Sequence, residues 1–598
     1  MLQPRLAVLF VLSRILLAAD QPDLIIAGGG IAGLSAALEG ARAGLKVTVV
    51  ELNTQPGGHA VISSGGLSLI GTPLQEKLKI VDTPEIAERD FLTWGEDANP
   101  EWVRYYVRNS KTEIHDWMVS LGTEFINVSL NGAGNSVARF HSPNQQGIGL
   151  TIPIYREILR QGGVTFLFGH KVTGLLLDGG RVTGVKMRNL REGKELTLRG
   201  SNVLLSTGGY AADQDLVRAS WPKSMRTPER VLTGGGFFAT GEAMQLAKQA
   251  GGTSHWLDHQ WNYATGLPDP FDAEGKRGFF SMAFNAIWVN AQGKRFALEQ
   301  HEPKVTIPKI AAQDPARFWA VMDADGRRGF RIVHAGFAQD RVEEVLNYPG
   351  LLSKGDSIEE LARNAGLPPD ALRASVERYN ALVDAGEDTD FQRFGPKVPQ
   401  RGGFVIPISK IQKPPFYAAP MYILIRKSMG GVRVDTSCQV LNSEGQPVPG
   451  LLAAGEATGF GGVNGRNGME GTFLGPAILM GRVAARTVAT AQKAKPAAAP
   501  TATLRLTPPA VNPKLGETCN GCHNVPELVK TKRDGYWHFE NVHKLAVARK
   551  LNCTGCHAEM APFTASTHKI DKALQTTVCQ HCHASPPFSL RRAPTAAE

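Results

Sequence analysis

The sequence predicts an α/β fold: a large dinucleotide-binding domain of Rossmann-like design, followed by a small, mostly irregular or helical appendage. Three observations predict it. A strand, a glycine-rich turn, a helix and a second strand follow one another near the N-terminus. Two further strand-to-glycine turns recur far downstream. The last 80 or so residues carry six of the chain's seven cysteines. At 598 residues the chain is too long for one ordinary core, so one large domain with smaller attached units is expected.

Composition sets the class. Hydrophobic residues make up 42% and charged residues 20%, with 65 glycines, which describes a globular enzyme better than a disordered or fibrous chain. The formal charge of +10 is spread along the whole length. No Lys/Arg run with interleaved aromatics is present, so nucleic-acid binding is not expected. A positive field of this size draws anionic substrates or acidic redox partners.

The first nineteen residues begin with Arg5, continue as the apolar run Leu6 to Leu17 broken by Arg14, and close on Ala18-Ala19. This pattern reads as a signal peptide over 1–19. A membrane anchor is the alternative, but the run falls short of the ~20 residues that span a bilayer. Leu17 is larger than the usual residue at that place in a cleavage site. The expectation is export to the periplasm, with no membrane span in the mature protein.

From residue 20 the nucleotide-binding signature unfolds in order. Asp23-Leu-Ile-Ile-Ala27 is a short apolar strand leading into Gly28-Gly29-Gly30-Ile31-Ala32-Gly33, after which Leu34 to Ala43 has helical spacing. Gly28 permits the tight turn and Gly30 lets backbone approach a pyrophosphate. Gly33 lets the helix pack on the strand, while the amides around Ile31 and Ala32 open the helix towards negative charge. Lys46-Val-Thr-Val-Val50 is the second strand. It ends at Glu51, where a carboxylate binds an adenosine ribose.

The later turns favour FAD over a nicotinamide dinucleotide. Leu204-Leu-Ser-Thr207-Gly208-Gly209 is one, and Pro449-Gly-Leu-Leu-Ala-Ala-Gly-Glu456-Ala457 the other. Either glycine pair alone is only a turn; their joint order argues for flavin.

In the tail, Cys519-Asn-Gly-Cys522-His523, Cys553-Thr-Gly-Cys556-His557 and Cys579-Gln-His-Cys582-His583 repeat CxxCH three times within 65 residues. Two thiols three residues apart form thioethers to one haem, and the adjacent imidazole binds its iron. Zinc hooks and disulfides are the competing readings, but neither needs a histidine straight after every pair. His538, His543 and His568 are the spare distal ligands, with His581 left inside the third motif. His543 and His568 stand ten and eleven residues before the next motif; His538 is the weaker choice. Three bis-histidine haems over 514–598 would make this segment an electron wire. The Ala/Pro/Lys stretch 491–513 is the linker that precedes it.

Residues 23 to about 490 resemble the flavoprotein family of fumarate reductase and succinate dehydrogenase, especially its flavocytochrome c branch. The resemblance rests on Pro56-Gly-Gly58-His59-Ala-Val-Ile-Ser-Ser64-Gly65-Gly66, Ile287-Trp-Val-Asn-Ala-Gln-Gly-Lys-Arg-Phe296 with Glu299, Met429-Gly-Gly-Val-Arg-Val-Asp435, and Gly455-Glu-Ala-Thr-Gly459 through Gly481-Arg482. It implies an FAD domain over 20–252 and 429–490, interrupted by an α+β capping domain at 253–428, with substrate held between them. It also implies that Ala-Gly-Glu456 meets the ribityl chain. His59 falls where some members attach FAD covalently; the branch resembled is mostly non-covalent, and non-covalent FAD is expected.

This chain departs from the fumarate-reducing pattern at four places. The proton-donating arginine is replaced by Pro303, with Lys304 beside it. The cap's His-Pro-Thr reads instead as part of His259-Gln-Trp-Asn-Tyr263. The histidine before Met-Gly-Gly is Lys427-Ser428, and the carboxylate-binding arginine is Gly468, two residues from Arg466. Fumarate is therefore not the expected substrate. Candidates to move the proton are Tyr263, His259 and Lys304; candidates to polarise a carboxylate or carbonyl are Arg466, Lys427 and Arg426. Cys438, the seventh cysteine, reads as structural.

The combined expectation is a periplasmic oxidoreductase taking electrons from a membrane quinol dehydrogenase or a periplasmic cytochrome. They would pass through three haems to FAD and reduce the C=C bond of an α,β-unsaturated organic acid. The same parts run backwards make a dehydrogenase. A non-catalytic electron-transfer protein with a relic flavin site is the reading from another class.

Overall fold

The structure is a computed structural model that describes residues 21–493, apart from 54, 131, 133, 191–192, 237, 273, 300–301, 334–341 and 397–407. The stretch 1–19 read as a signal peptide, all but 491–493 of the stretch 491–513 read as a linker, and the segment 514–598 with its three CxxCH motifs and spare histidines lie outside the described residues.

Along the chain, the elements that position the site are β1 (Leu24–Ala27), α1 (Ile31–Arg42), β2 (Val47–Val50), β3 (Val164–Leu167) and β4 (Val203–Leu205). There follow β5 (Gln260–Pro268), β6 (Gly278–Met282), β7 (Ala286–Val289), α2 (Pro303–Ala311), β8 (Arg317–Met322) and β9 (Phe416–Ser428). The last are β10 (Gln439–Leu441), β11 (Pro447–Ala453) and α3 (Leu474–Lys493).

A six-stranded sheet runs β10-β11-β4-β1-β2-β3, parallel from β11 to β3 with β10 antiparallel at the edge. β1, β2 and β4 are buried throughout. Their near-continuous apolar sequences suit strands covered on both faces. Register then assembles the motifs: Ala27 pairs with Val50 and Leu205, and Leu205 with Ala453. The chain leaves these four strands at one edge, into Gly28, Glu51, Ser206 and Ala454. Segments hundreds of residues apart thus meet at the carboxyl ends of parallel strands, where such sheets bind ligands. Helix α1, rich in small residues, packs against α3 on one face of the sheet.

A second, eight-stranded sheet forms the inserted layer, in the order β7-β8-β9-β5-β6 and then Arg331–Ile332. Leu232–Thr233 and Ser353–Gly355 pair alongside β9, so a segment before residue 253 joins this sheet. Its own core includes Phe318, Phe330, Trp288 and Met421. The 13-residue β9 carries the chain back to the first sheet: Arg317–Met322 of β8 pairs with its first half and β5 with its second. It ends on Arg426-Lys427-Ser428, and a bulge on either side of Asn262-Tyr263 in β5 re-aims the facing side chains. No described helix is long and apolar enough to cross a membrane.

Candidate active site

One continuous cleft opens at the carboxyl edge of the six-stranded sheet. At one end it is lined by Glu51, Leu52 and Asn53, along its middle by Gly28, Gly30, Ile31, Ala32, Thr207 and Gly208, and at the other end by Lys427, Glu456, Glu470 and Phe473. Gly58, His59, Ser64, Gly65 and Gly66 line its floor.

The middle is made for a phosphate. A side chain on Gly30 would meet no atom within 4 Å, whereas one on Gly33 would strike the Gly28 carbonyl at 2.0 Å. The first glycine thus leaves open space above the helix, and the second lets α1 lie on the turn. No side chain caps α1, so its first amides remain for a ligand.

Glu51 is buried, and its carboxylate accepts hydrogen bonds from the amides of Gly29 and of Asn53, the latter at 2.8 Å. Burial pushes its pKa up to about 7 against those two bonds, so a hydroxyl that donates to it is welcome. The Thr207 hydroxyl and His59 Nε2 are buried on the cleft wall without a hydrogen-bond partner among the described residues. Such groups call for a polar ligand.

The far end is a charged and aromatic cluster. Lys427 Nζ lies 4.0 Å from the centre of the Phe473 ring. Burial first, and Arg426 beside it second, lower the Lys427 pKa to about 8, against the pull of Glu470 and Glu456. Arg426 is buried, donates from Nη1 to the Gly234 carbonyl at 2.5 Å, and sits 5.7 Å over the Tyr263 ring. Tyr263 donates its hydroxyl to Glu470 Oε1 at 2.8 Å and stacks on Phe280. Burial and the Glu470 charge raise the Tyr263 pKa, so the phenol keeps its proton. Glu456 accepts from the Ser428 amide at 3.1 Å, and burial pushes its pKa up to about 7. His59 packs against Gly235 and Gly236; burial and then the charges of Arg426 and Lys427 hold it neutral.

This geometry, with amides for a diphosphate, an acid for a ribose and a long cleft beyond, is matched by sequence. Residues 23–474 match the family described as FAD binding domain. The chain belongs to this FAD-binding family. Within it the chain is fumarate reductase/succinate dehydrogenase flavoprotein-like. A "KsdD-like steroid dehydrogenase" of Mycobacterium tuberculosis is 29% identical over 78% of this chain and 95% of the relative. The "Fumarate reductase (cytochrome)" of Shewanella frigidimarina is 29% identical over 78% of this chain and 76% of the relative. A "Vinyl phenol reductase" of Lactiplantibacillus plantarum is 27% identical over 78% and 96%. Two solved structures share the fold. One is the open conformation of a flavocytochrome c3 fumarate reductase, with TM-score 0.65, 24% identity and 80% of each chain covered. The other is the 3-ketosteroid delta1-dehydrogenase of Sterolibacterium denitrificans, with TM-score 0.66, 18% identity, and 79% of this chain and 100% of that one covered.

The residues present fit FAD, with Glu51 at the adenosine end and the Lys427 end left for the flavin ring. Of the glycines expected to hold it, Gly33 and Gly209 do not line the cleft. Gly33 packs against the turn, and a side chain on Gly209 would strike Ser428 and Glu456.

The six residues nominated for chemistry divide. Lys427 lines the ring end of the cleft, with Arg426 next to it on β9 and Tyr263 bonded to the lining Glu470. His259, Lys304 and Arg466 form a separate seam around the loop Glu96-Asp97. Lys304 Nζ pairs with Glu96 at 2.6 Å, Arg466 Nη2 with Asp97 at 2.8 Å, and His259 Nε2 with the same Asp97 at 3.2 Å. The two acids draw all three away from the cleft. Glu470 and Phe473 went unnoticed in the sequence, although an acid between glycines in Met-Glu470-Gly471 was a readable signal. Cys438 is buried, and its thiol donates to the Met480 carbonyl at 3.4 Å, in keeping with a structural role.

Proposed function

We propose that this protein is a reductase of carbon–carbon double bonds in α,β-unsaturated organic acids. FAD, once reduced by two electrons, would supply a hydride; the protein must bind the carboxylate, hold the C=C bond against the ring and provide the second hydrogen as a proton. The observation that carries this reading is Lys427 on the cleft wall with Glu456 and Glu470, with buried Arg426 next to it on β9 and Tyr263 bonded to Glu470. Arg426 and Lys427, adjacent on β9, orient the carboxylate and stabilise negative charge that develops on it. Tyr263, kept protonated by burial and by Glu470, gives its proton to the carbon next to the carboxylate. Among the relatives, fumarate reductase and vinyl phenol reductase are named for reductions.

Electrons arrive, in this proposal, through three c-type haems on Cys519/Cys522/His523, Cys553/Cys556/His557 and Cys579/Cys582/His583, with His538, His543 and His568 as distal ligands. The chain is exported to the periplasm and receives electrons from a quinol dehydrogenase or a cytochrome there. FAD is held non-covalently, so acid precipitation should release all flavin and leave none fluorescing on the protein.

The reductase is tested by adding acrylate, cinnamate, urocanate, fumarate and itaconate to dithionite-reduced protein without oxygen, while flavin and haem absorbance are followed. Reoxidation by at least one enoate is expected; none would end the proposal. A second reading, dehydrogenation with electrons leaving through the haems, is favoured by the KsdD-like steroid dehydrogenase relatives. It predicts bleaching of the oxidised protein by saturated substrates.

A further inference from the structure

We infer that Glu470 returns a proton to Tyr263 after each turnover, carrying it from the water of the cleft to the phenol. This rests on the reductase reading and adds a residue to its proton supply.

The surroundings of the phenol carry the inference first. A tyrosine that gives its proton away must receive another before it acts again. The Tyr263 ring is walled by Phe280, with ring centres 4.2 Å apart, by Trp261 at 5.8 Å and by Arg426, 5.7 Å over its face. A phenyl ring and an indole supply no proton near neutral pH, and a guanidinium keeps its own. The hydroxyl's hydrogen bond runs to Glu470 Oε1 at 2.8 Å. Glu456 is bonded instead to the Ser428 amide, Lys427 lies over Phe473, and His59 packs on Gly235 and Gly236. Among the described residues, Glu470 alone both bonds the phenol and lines the cleft.

Room to move supplies the second part. Glu470 is half-buried, with the walled phenol on one side and the cleft on the other. Gly132 stands against its stem: a Cβ there would lie 3.0 Å from Glu470 Cγ and 3.2 Å from its Cβ. The bare glycine leaves the carboxyl space to turn between phenol and water.

The proton cycle closes on these groups. The Tyr263 O–H bond breaks as the new C–H bond forms, and its electron pair stays on the phenolate oxygen, near the Arg426 charge. Solvent protonates the Glu470 carboxylate, and the resulting acid passes that proton to the phenolate. Phenolate is much the stronger base, the more so because burial and the Glu470 charge raise the Tyr263 pKa, so transfer runs towards Tyr263. One solvent proton is consumed per double bond reduced, and Glu470 ends as the carboxylate to which the phenol donates.

The experiment uses full-length, flavin-loaded protein and an enoate that reoxidises the wild type, with the first turnover and the steady state read separately. Glu470→Gln, checked for undiminished flavin content, keeps an oxygen for the phenol to bond but ferries no proton. Its first turnover spends the proton already on Tyr263. After stoichiometric reduction by dithionite, oxidation of the first two electron equivalents should therefore stay within threefold of wild type. Uptake of the solvent proton, followed with an indicator dye in weak buffer, should lag at least tenfold behind wild type. Steady-state kcat with excess dithionite should fall at least tenfold, and added imidazole should restore it, as a diffusible proton carrier does and a lost structural contact does not. Equal slowing of the first turnover and the steady state, or proton uptake as fast as in the wild type, overturns the inference and leaves the reductase reading standing. Failure of every enoate to reoxidise the wild type ends that reading, and this inference with it.

Discussion

Two clusters near the inserted layer use the same residue types and differ in surroundings. At the ring end, Arg426, Lys427 and Tyr263 are enclosed with Glu456 and Glu470, and burial moves the Lys427 and Glu456 pKa values to about 8 and about 7. In the seam, Lys304, Arg466 and His259 meet Glu96 and Asp97. There the Arg466 and Glu96 side chains are 50% and 48% exposed, and ordinary ion pairs form. Asp97 is pushed up by burial, yet its hydrogen bonds and ion pair with Arg466 outweigh this and hold its pKa below the usual value. The difference teaches that position in the sequence pattern nominates a charged residue, while desolvation decides whether its proton is available near neutral pH.

The largest test of this contrast is Tyr263→Phe. If the phenol is the proton source, kcat for enoate reduction should fall by about 10²–10⁴-fold with FAD still bound. Stopped-flow reoxidation of reduced flavin measures it, and a loss under threefold would remove Tyr263 from proton transfer. Next is Lys427→Met, for which removal of a charge-stabilising group predicts a loss of about 10²-fold or more in kcat/KM. The pH profile sharpens this. Lys427 binds carboxylate only when protonated, so kcat/KM should be retained below its pKa and decline as pH rises through about 8. Lys427→Arg, always charged, should flatten that alkaline limb. A wild-type profile flat from pH 7 to 9 would remove Lys427 from substrate binding.

Much of the nucleotide half was legible because local chemistry dictates it. Gly28, Gly30, Gly33 and Glu51 sit where strand, turn and ribose demand them, and the FAD-family match over residues 23–474 agrees with that reading. The ring end was half legible. Lys427 and Tyr263 stood out as departures from a pattern, but their partnership with Glu470 depends on β5 pairing with β9 through two bulges, which no spacing reveals. The seam was not legible. Asp97 lies 162 residues before His259 and 369 before Arg466, and only the folded loops bring them together. Arg139 is a further case, fully buried between Asp82 at 2.9 Å and Asp90 at 2.6 Å. Such long-range pairs carry no periodicity that sequence can show.

The smallest expected effect is in the seam. Asp97→Asn removes the partner shared by Arg466 and His259 while leaving every ring-end side chain in place. The Arg466 pair is half exposed, and exposed pairs are worth about 0–1 kcal/mol, so stability should fall by no more than about 1 kcal/mol. His259 is buried and its pKa is lowered, chiefly by burial and only partly offset by Asp97. It stays neutral once Asp97 is gone and leaves no stranded charge. Enoate kcat should therefore remain within about threefold of wild type, because no group that touches the substrate changes. Denaturant unfolding and steady-state kinetics on the same preparation check both halves. A tenfold loss of kcat with unchanged stability would show that the seam reaches the chemistry, and the division between the two clusters would collapse.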